Sequence, residues 1–321
     1  MNIGTPRGVR SPQKAAENRI LSLFIAMHIA VLLKETLQYL DPKPDENFID
    51  CTAGEGGHTF AILEKISPKG KVLGIDWDAE MIKKINRQER LVLINDSYAN
   101  LKKITNENKF YPVNGILLDL GMSSWHLDES GRGFSFLKDE PLEMRYKSQI
   151  SSLKSKNYLT ARYIINNWRG EEIERILREY GEERFSGQIA KKIIENRKIK
   201  SIETTFQLVN IIREAIPARF KSGKIHFATR TFQALRMATN SECDNLKTIL
   251  PQVLDILEPG GRIVVISFHS IEDRVVKDFF KEESRNNHLN IITKKPIIPS
   301  EEEIKSNHRS RSAKLRSAVK I

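Results

Sequence analysis

The sequence predicts an α/β protein built on a doubly wound, mostly parallel sheet with an inserted all-helical domain, and three observations carry that expectation. Short apolar runs at 47–49, 71–75, 91–94 and 115–118 alternate with helix-like stretches at 59–65, 78–86 and 98–107. A glycine cluster, Gly54, Gly56 and Gly57, follows the first run. From 129 to about 224 the period changes to that of packed helices, and then the α/β alternation returns.

At the start of the chain, Arg7, Arg10, Lys14 and Arg19 precede an apolar run at 20–33, an order that imitates a signal peptide. Lys34 and Glu35 follow the run in place of a small-residue cleavage site, His28 interrupts it, and it is too short to span a bilayer. Residues 20–40 therefore read as mostly helix of a globular domain, and 1–27 as a flexible extension. Met27 directly before His28 offers an alternative start.

The four apolar runs are short, continuous and bounded by turn residues, as strands buried on both faces should be. Each is followed by an acid, Asp50, Asp76, Asp96 and Asp119, at the sheet edge where open α/β proteins bind ligands. Glycines after the first strand let the backbone turn at positive φ and let a ligand approach amides at a helix N-terminus.

Within 129–228, Ile173, Ile176, Leu177 and Tyr180 recur at i, i+3, i+4 and i+7, as do Phe206, Val209, Ile212 and Ile216 roughly, stopped by Pro217. Basic residues on these helices, among them Arg169, Arg175, Arg178, Arg184, Lys191, Lys192, Arg197, Lys198 and Lys200, form either a solvated surface mixed with glutamates or a face for nucleic acid. The α/β pattern resumes with helices at 229–238 and 244–257, a turn at Pro259, Gly260 and Gly261, a strand at 262–266 and a helix at 273–283. Residues 28–128 and 229–321 thus make one domain and 129–228 the insert. At 307–321, Arg309, Arg311, Lys314, Arg316 and Lys320 meet no acid in sequence, which makes the C-terminus a candidate phosphate contact.

A net charge of +11 over 321 residues favours a polyanionic partner, and 40% hydrophobic content is that of a soluble globular chain. Two cysteines, Cys51 and Cys243, lack metal-site spacing and read as reduced thiols of a cytoplasmic protein, with no metal expected. The glycine loop suits two cofactors. A nicotinamide dinucleotide would place Asp76 on the ribose, while Asp50 before the glycines would repel a pyrophosphate and suit the amino group of S-adenosylmethionine.

Ten ordered blocks now bear on that choice. They are HIAVLLKETL (28–37), IDCTAGEGGHT (49–59), GIDWD (74–78), GILLDLGMSSWHLD (115–128), RGFSF (132–136), PLEMR (141–145), YGEERF (180–185), ATRTFQALRMATN (228–240), LEPGGR (257–262) and ISFHSIEDR (266–274). Together they resemble the bacterial small-subunit ribosomal RNA cytosine-N4 methyltransferase family, known as RsmH or MraW. The resemblance implies a class I S-adenosylmethionine-dependent methyltransferase fold. It also implies methyl transfer to N4 of a cytidine in the decoding region of 16S rRNA, within the small ribosomal subunit and away from membranes. By the same resemblance Gly56, Gly57, His58, Asp76, Tyr98 and Asp119 contact the cofactor, with Gly54 a turn-former. His126 falls where the family carries Gln and so replaces an amide contact to the cofactor, Phe227 falls where the family carries Pro, and Tyr98 keeps the ring of a family Phe.

The chemistry asks for an acceptor beside a weakly nucleophilic amine, and Asp119 is the candidate, with Ser123 and Ser124 near it in sequence. His269, at the end of a later strand, is a second catalytic candidate. Methylation at cytosine C5 would need a cysteine nucleophile, and neither Cys51, inside the loop, nor Cys243, in a helical stretch, suits it. A non-catalytic RNA-binding assembly factor and a nicotinamide-dependent oxidoreductase are the competing functions.

Overall fold

The computed structural model describes residues 30–147, 159–223 and 225–321 of the protein. The expected extension at 1–27 and the start of the 20–40 helix lie outside the described residues; the helix appears as α1 (Leu33–Leu40). There follow β1 (Phe48–Asp50), α2 (Gly57–Lys65), β2 (Val72–Asp76), α3 (Ala79–Lys84), β3 (Leu91–Asn95), α4 (Leu101–Glu107) and β4 (Gly115–Asp119). After the short α5 (Ser124–Asp128), the insert contributes α6 (Ala161–Asn167), α7 (Gly170–Glu179), α8 (Ser186–Ile199) and α9 (Thr205–Ala215). The chain returns through α10 (Thr229–Asn240), α11 (Glu242–Ile256), β5 (Arg262–Ser267), α12 (Ser270–Arg285), β6 (Leu289–Ile291), α13 (Glu301–Ser306) and β7 (Lys314–Lys320).

The seven strands form one sheet in the order β3-β2-β1-β4-β5-β7-β6, that of a class I S-adenosylmethionine-dependent methyltransferase. β1 to β5 pair in parallel, and β7 runs antiparallel between β5 and β6. Alternate side chains serve opposite faces of a sheet, and the buried runs divide that way. Ile49, Ile116, Leu118, Ile263 and Val265 pack with Leu101, Leu246 and Phe280 on one side. Phe48, Leu117, Val264 and Ile266 pack with Leu40, Ile62 and Leu63 on the other. Runs that must fill two helical layers have no room for a polar position, so they are apolar throughout.

The insert has a core of its own, in which Ile164, Ile173, Ile176, Ile193, Leu208 and Ile212 meet. Phe232 and Leu235 of α10 belong to that same core, so it continues past residue 228.

The C-terminus corrects the expectation of a free basic tail. β7 fills the sheet, with Leu315 and Ala318 fully buried. Its cations have partners that are distant in sequence: Arg316 Nε and Nη2 donate to the Asp273 carboxylate at 2.6 and 3.2 Å, and Lys320 Nζ donates to the carbonyls of Leu254 and Leu257, each at 2.6 Å. Arg309 Nη2 donates to Asp128 Oδ2 at 2.6 Å. Arg309, Lys314 and Arg316, without an acid nearby along the chain, meet one across the fold. No helix among the described residues is long and apolar enough to cross a membrane.

Candidate active site

The loop after β1 is shaped by the acid that precedes it. Asp50 is 1% exposed, and its carboxylate accepts from Thr52 N at 3.1 Å and Thr59 Oγ1 at 2.7 Å. It is not on the wall of the cleft that opens above the strand ends. The suggestion that Asp50 holds a cofactor amino group is therefore corrected: it ties both ends of the loop together, and burial raises its pKa.

Two glycines of the loop stand at positive φ. Gly54, at φ 53°, lines the cleft and donates its N–H to Asp76 Oδ2 at 2.9 Å. Gly56, expected at the cofactor, makes the turn into α2 at φ 89°, between the cleft-lining Glu55 and Gly57, and a Cβ there would lie 2.6 Å from the Phe60 ring. Gly57 and His58, the first residues of α2, do line the cleft.

β2 and β4 deliver the acids. Asp76 lines the cleft and also accepts from Asp78 N at 2.8 Å; burial pushes its carboxyl up to about 7. Asp119 closes β4; its backbone N–H donates to Thr52 Oγ1 at 2.7 Å, and His58 Nε2 stands 3.5 Å from its Oδ2. His58 is 6% exposed, and its Nδ1 has no hydrogen-bond partner among the described residues. Tyr98, just after β3, forms part of the same wall, and burial pushes its phenol pKa up.

His126 also reaches the wall, but its polar atoms are already engaged. Its Nε2 pairs with the fully buried Asp78 Oδ2 at 2.9 Å and its Nδ1 with Ser123 Oγ at 2.9 Å. Arg132 Nη1 donates to the same Asp78 oxygen at 2.6 Å, and these bonds hold the Asp78 carboxyl below its ordinary value although burial opposes them. Through Asp78, the N-cap of α3, His126 ties α5 to α3.

Part of the lining was missed from sequence: Tyr146, Glu242, Asn245, Phe268 and Glu272 also line the cleft. Arg236 grips both Glu242 oxygens at 2.9 Å. His269, expected to act in catalysis, is not on the wall; it caps α12, with Nε2 3.0 Å from Glu272 Oε1. Spacing explains the substitution, since the third residue into a helix folds back beside its cap. Glu242, His269 and Glu272 bring ligand atoms within 4.8 Å of one another, but Arg236 already occupies both oxygens of Glu242. The block ISFHSIEDR contained Glu272, and only the fold distinguishes it from His269.

The MraW methylase family matches the chain over residues 25–321. The chain belongs to that family. The methylase is 44% identical over 313 residues to the ribosomal RNA small subunit methyltransferase H of Halothermothrix orenii, covering 92% of this chain and 98% of that one. It is likewise 44% identical to the protein of the same name from Clostridium botulinum strain 657, covering 92% and 99%. An rRNA methylase structure from Streptococcus thermophilus superposes at a TM-score of 0.41 with 11% identity, covering 92% of this chain and 99% of that one. Membership in a methylase family sets the oxidoreductase reading aside.

Proposed function

We propose that this methylase transfers a methyl group from S-adenosylmethionine to the exocyclic N4 of a cytidine in the decoding region of 16S rRNA. The observation that carries the reading is the carboxylate of Asp119 at the end of β4, on the cleft wall beside His58. The names of the relatives support the small-subunit RNA as substrate. The sequence blocks support the cytosine amine.

The residues present fit the donor. Asp76 is a carboxylate acceptor suited to ribose hydroxyls, the Tyr98 ring suits a face of adenine, and the buried His58 has a ring nitrogen in want of a partner. When bound, S-adenosylmethionine supplies an electrophilic methyl on a sulfonium.

The chain's own residues supply alignment and acceptors. The N4 lone pair of cytosine is delocalised into the ring, so the amine must be held in line, an effect worth up to about 7–11 kcal/mol in favourable cases. Asp119 accepts from the amine N–H groups and gains strength as positive charge develops there. Attack through cytosine C5 would need a thiolate. Both thiols are buried, and burial raises the pKa of Cys51 well up and that of Cys243 to about 11, which favours the amine.

The test is mass spectrometry of nucleosides from 16S rRNA after the gene is deleted and then restored as wild type or Asp119→Ala. N4-methylcytidine should vanish on deletion and return only with the wild type. Its full return with Asp119→Ala would point to a role without Asp119 chemistry. Its persistence after deletion would remove the assignment and favour a non-catalytic assembly factor.

A further inference from the structure

The strand beside Asp119 brings an aromatic ring to the same point as that carboxylate. β4 and β5 pair in parallel with Asp119 opposite Ile266, and the ladder runs one step further through Leu120, whose N–H donates to the Ile266 carbonyl at 2.9 Å. Gly121 therefore falls opposite Phe268. A Cβ on Gly121 would lie 2.8 and 2.9 Å from Cε2 and Cζ of the Phe268 ring and 3.0 Å from Asp119 Oδ1. Gly121 is not among the glycines at positive φ, so its position requires the empty space and not the conformational freedom. The Phe268 ring takes that space.

Phe268 is also anchored there. Its N–H donates to Glu272 Oε2 at 2.9 Å, and His269 Nε2 stands 3.0 Å from the other oxygen, Oε1. The ring packs against the core that contains Val264 and Ile266 and, partly exposed, lines the cleft. Other rings line it too, but they are differently placed. Trp77 and Tyr98 follow β2 and β3, the strands that bring Asp76 and the adenine contact to the donor, and Tyr146 has Phe134 stacked on it at 5.2 Å. Among the described residues no ring or cation lies on Phe268. The run that follows Asp119, from Leu120 to Ser124, holds no aromatic residue of its own.

We propose that Phe268 is the surface on which the target base lies while its exocyclic amine meets Asp119, with Gly121 the gap that admits the ring. The inference rests on the amine-methylating reading given above. A base that enters the cleft leaves the stack of its own strand, and an aromatic side chain in the pocket replaces the lost neighbours. Stacking also fixes the plane of the base. A base confined to a plane beside Asp119 can turn its amine only within that plane, which is the restriction that an in-line displacement at the methyl group needs.

The test is methyl transfer by the full chain from radiolabelled S-adenosylmethionine to small ribosomal subunits purified from a strain that lacks the gene. Phe268→Ala should lower kcat/KM for the subunit roughly 5- to 150-fold, the loss of one stacked base, while calorimetry shows unchanged affinity for the donor. Phe268→Leu keeps an apolar side chain without a π-face and should stay well below the wild-type rate; full recovery would reduce the ring to packing and overturn the proposal. Gly121→Ala leaves Phe268 in the chain but sets a methyl group in the way of its ring, and it should show the same loss of turnover with unchanged donor affinity. Wild-type turnover in Gly121→Ala would overturn the proposal as well. Thermal melts establish that each variant is folded. Donor affinity that falls as far as turnover in Phe268→Leu would move the ring to the donor site and overturn its assignment to the base. Nucleosides digested from the wild-type product keep the two readings apart. A methylated nucleoside other than N4-methylcytidine sinks the proposed reaction alone, and N4-methylcytidine formed as fast by Phe268→Leu as by the wild type sinks the ring alone. No transfer by the wild type to these subunits would sink both.

Discussion

Asp76→Asn separates the cost of the donor site from its use. Burial places the Asp76 carboxyl at about 7, against an ordinary 3.8. The folded protein therefore holds a proton on Asp76 across that window while the unfolded chain does not, and stability falls as pH rises from about 4 to 7. At ~1.36 kcal/mol per pH unit the ionised side chain costs the ligand-free protein about 4 kcal/mol by pH 8. Asparagine never ionises, but its amide can accept from only one of the two N–H groups of Gly54 and Asp78, a loss of about 1–3 kcal/mol at every pH. That loss cancels when the stability difference between variant and wild type is followed against pH. The difference should move in favour of the variant by about 4 kcal/mol between pH 4 and 8, or roughly 10 °C in melting temperature at ~2–4 °C per kcal/mol. Calorimetry should show the opposite for the ligand: S-adenosylmethionine binding by the wild type strengthens as pH rises toward 7, and Asp76→Asn weakens it about 10- to 100-fold through the lost charged acceptor. Melting curves of the two proteins that stay parallel from pH 4 to 8 would refute the buried-carboxylate argument. Unchanged affinity for the donor would remove Asp76 from its site.

Further outcomes follow from the same geometry. Gly56→Ala should cost about 1–3 kcal/mol, from the positive φ and the approach to Phe60; Gly54→Ala, with its nearest contact at 3.7 Å, should melt closer to wild type and act chiefly on donor affinity. Arg316→Ala leaves the half-buried Asp273 carboxylate with only Lys314 Nζ, at 3.6 Å, and should lower stability by about 1–3 kcal/mol in denaturant titrations, with no change in the salt dependence of RNA binding. Cys51→Ala with Cys243→Ala should retain methyl transfer within about tenfold in a radiolabelled-donor assay, because neither thiol ionises; a collapse beyond a thousandfold would revive attack at C5.

Much of this protein was legible in one dimension because its information is local. The strands of the parallel sheet read as continuous apolar runs, since each fills two helical layers, and the insert announced itself by a change of period from strand runs to packed helices. The acids Asp76 and Asp119 were legible because strand ends and ligand edges coincide in open α/β sheets. Contacts across the fold were not legible. Arg316 finds Asp273 at a separation of 43 residues and Arg309 finds Asp128 at 181, so a tail read as free charge is a strand inside the sheet. That Glu272 rather than His269 lines the cleft turned on which way a side chain faces, a matter of three residues of helical rotation. The sequence by itself determined the five parallel strands, the change of period between them and the family. Only the tertiary structure decided which acids face the cleft and which cations are paired, because pairing depends on distance in space and burial on packing, and neither follows from order along the chain.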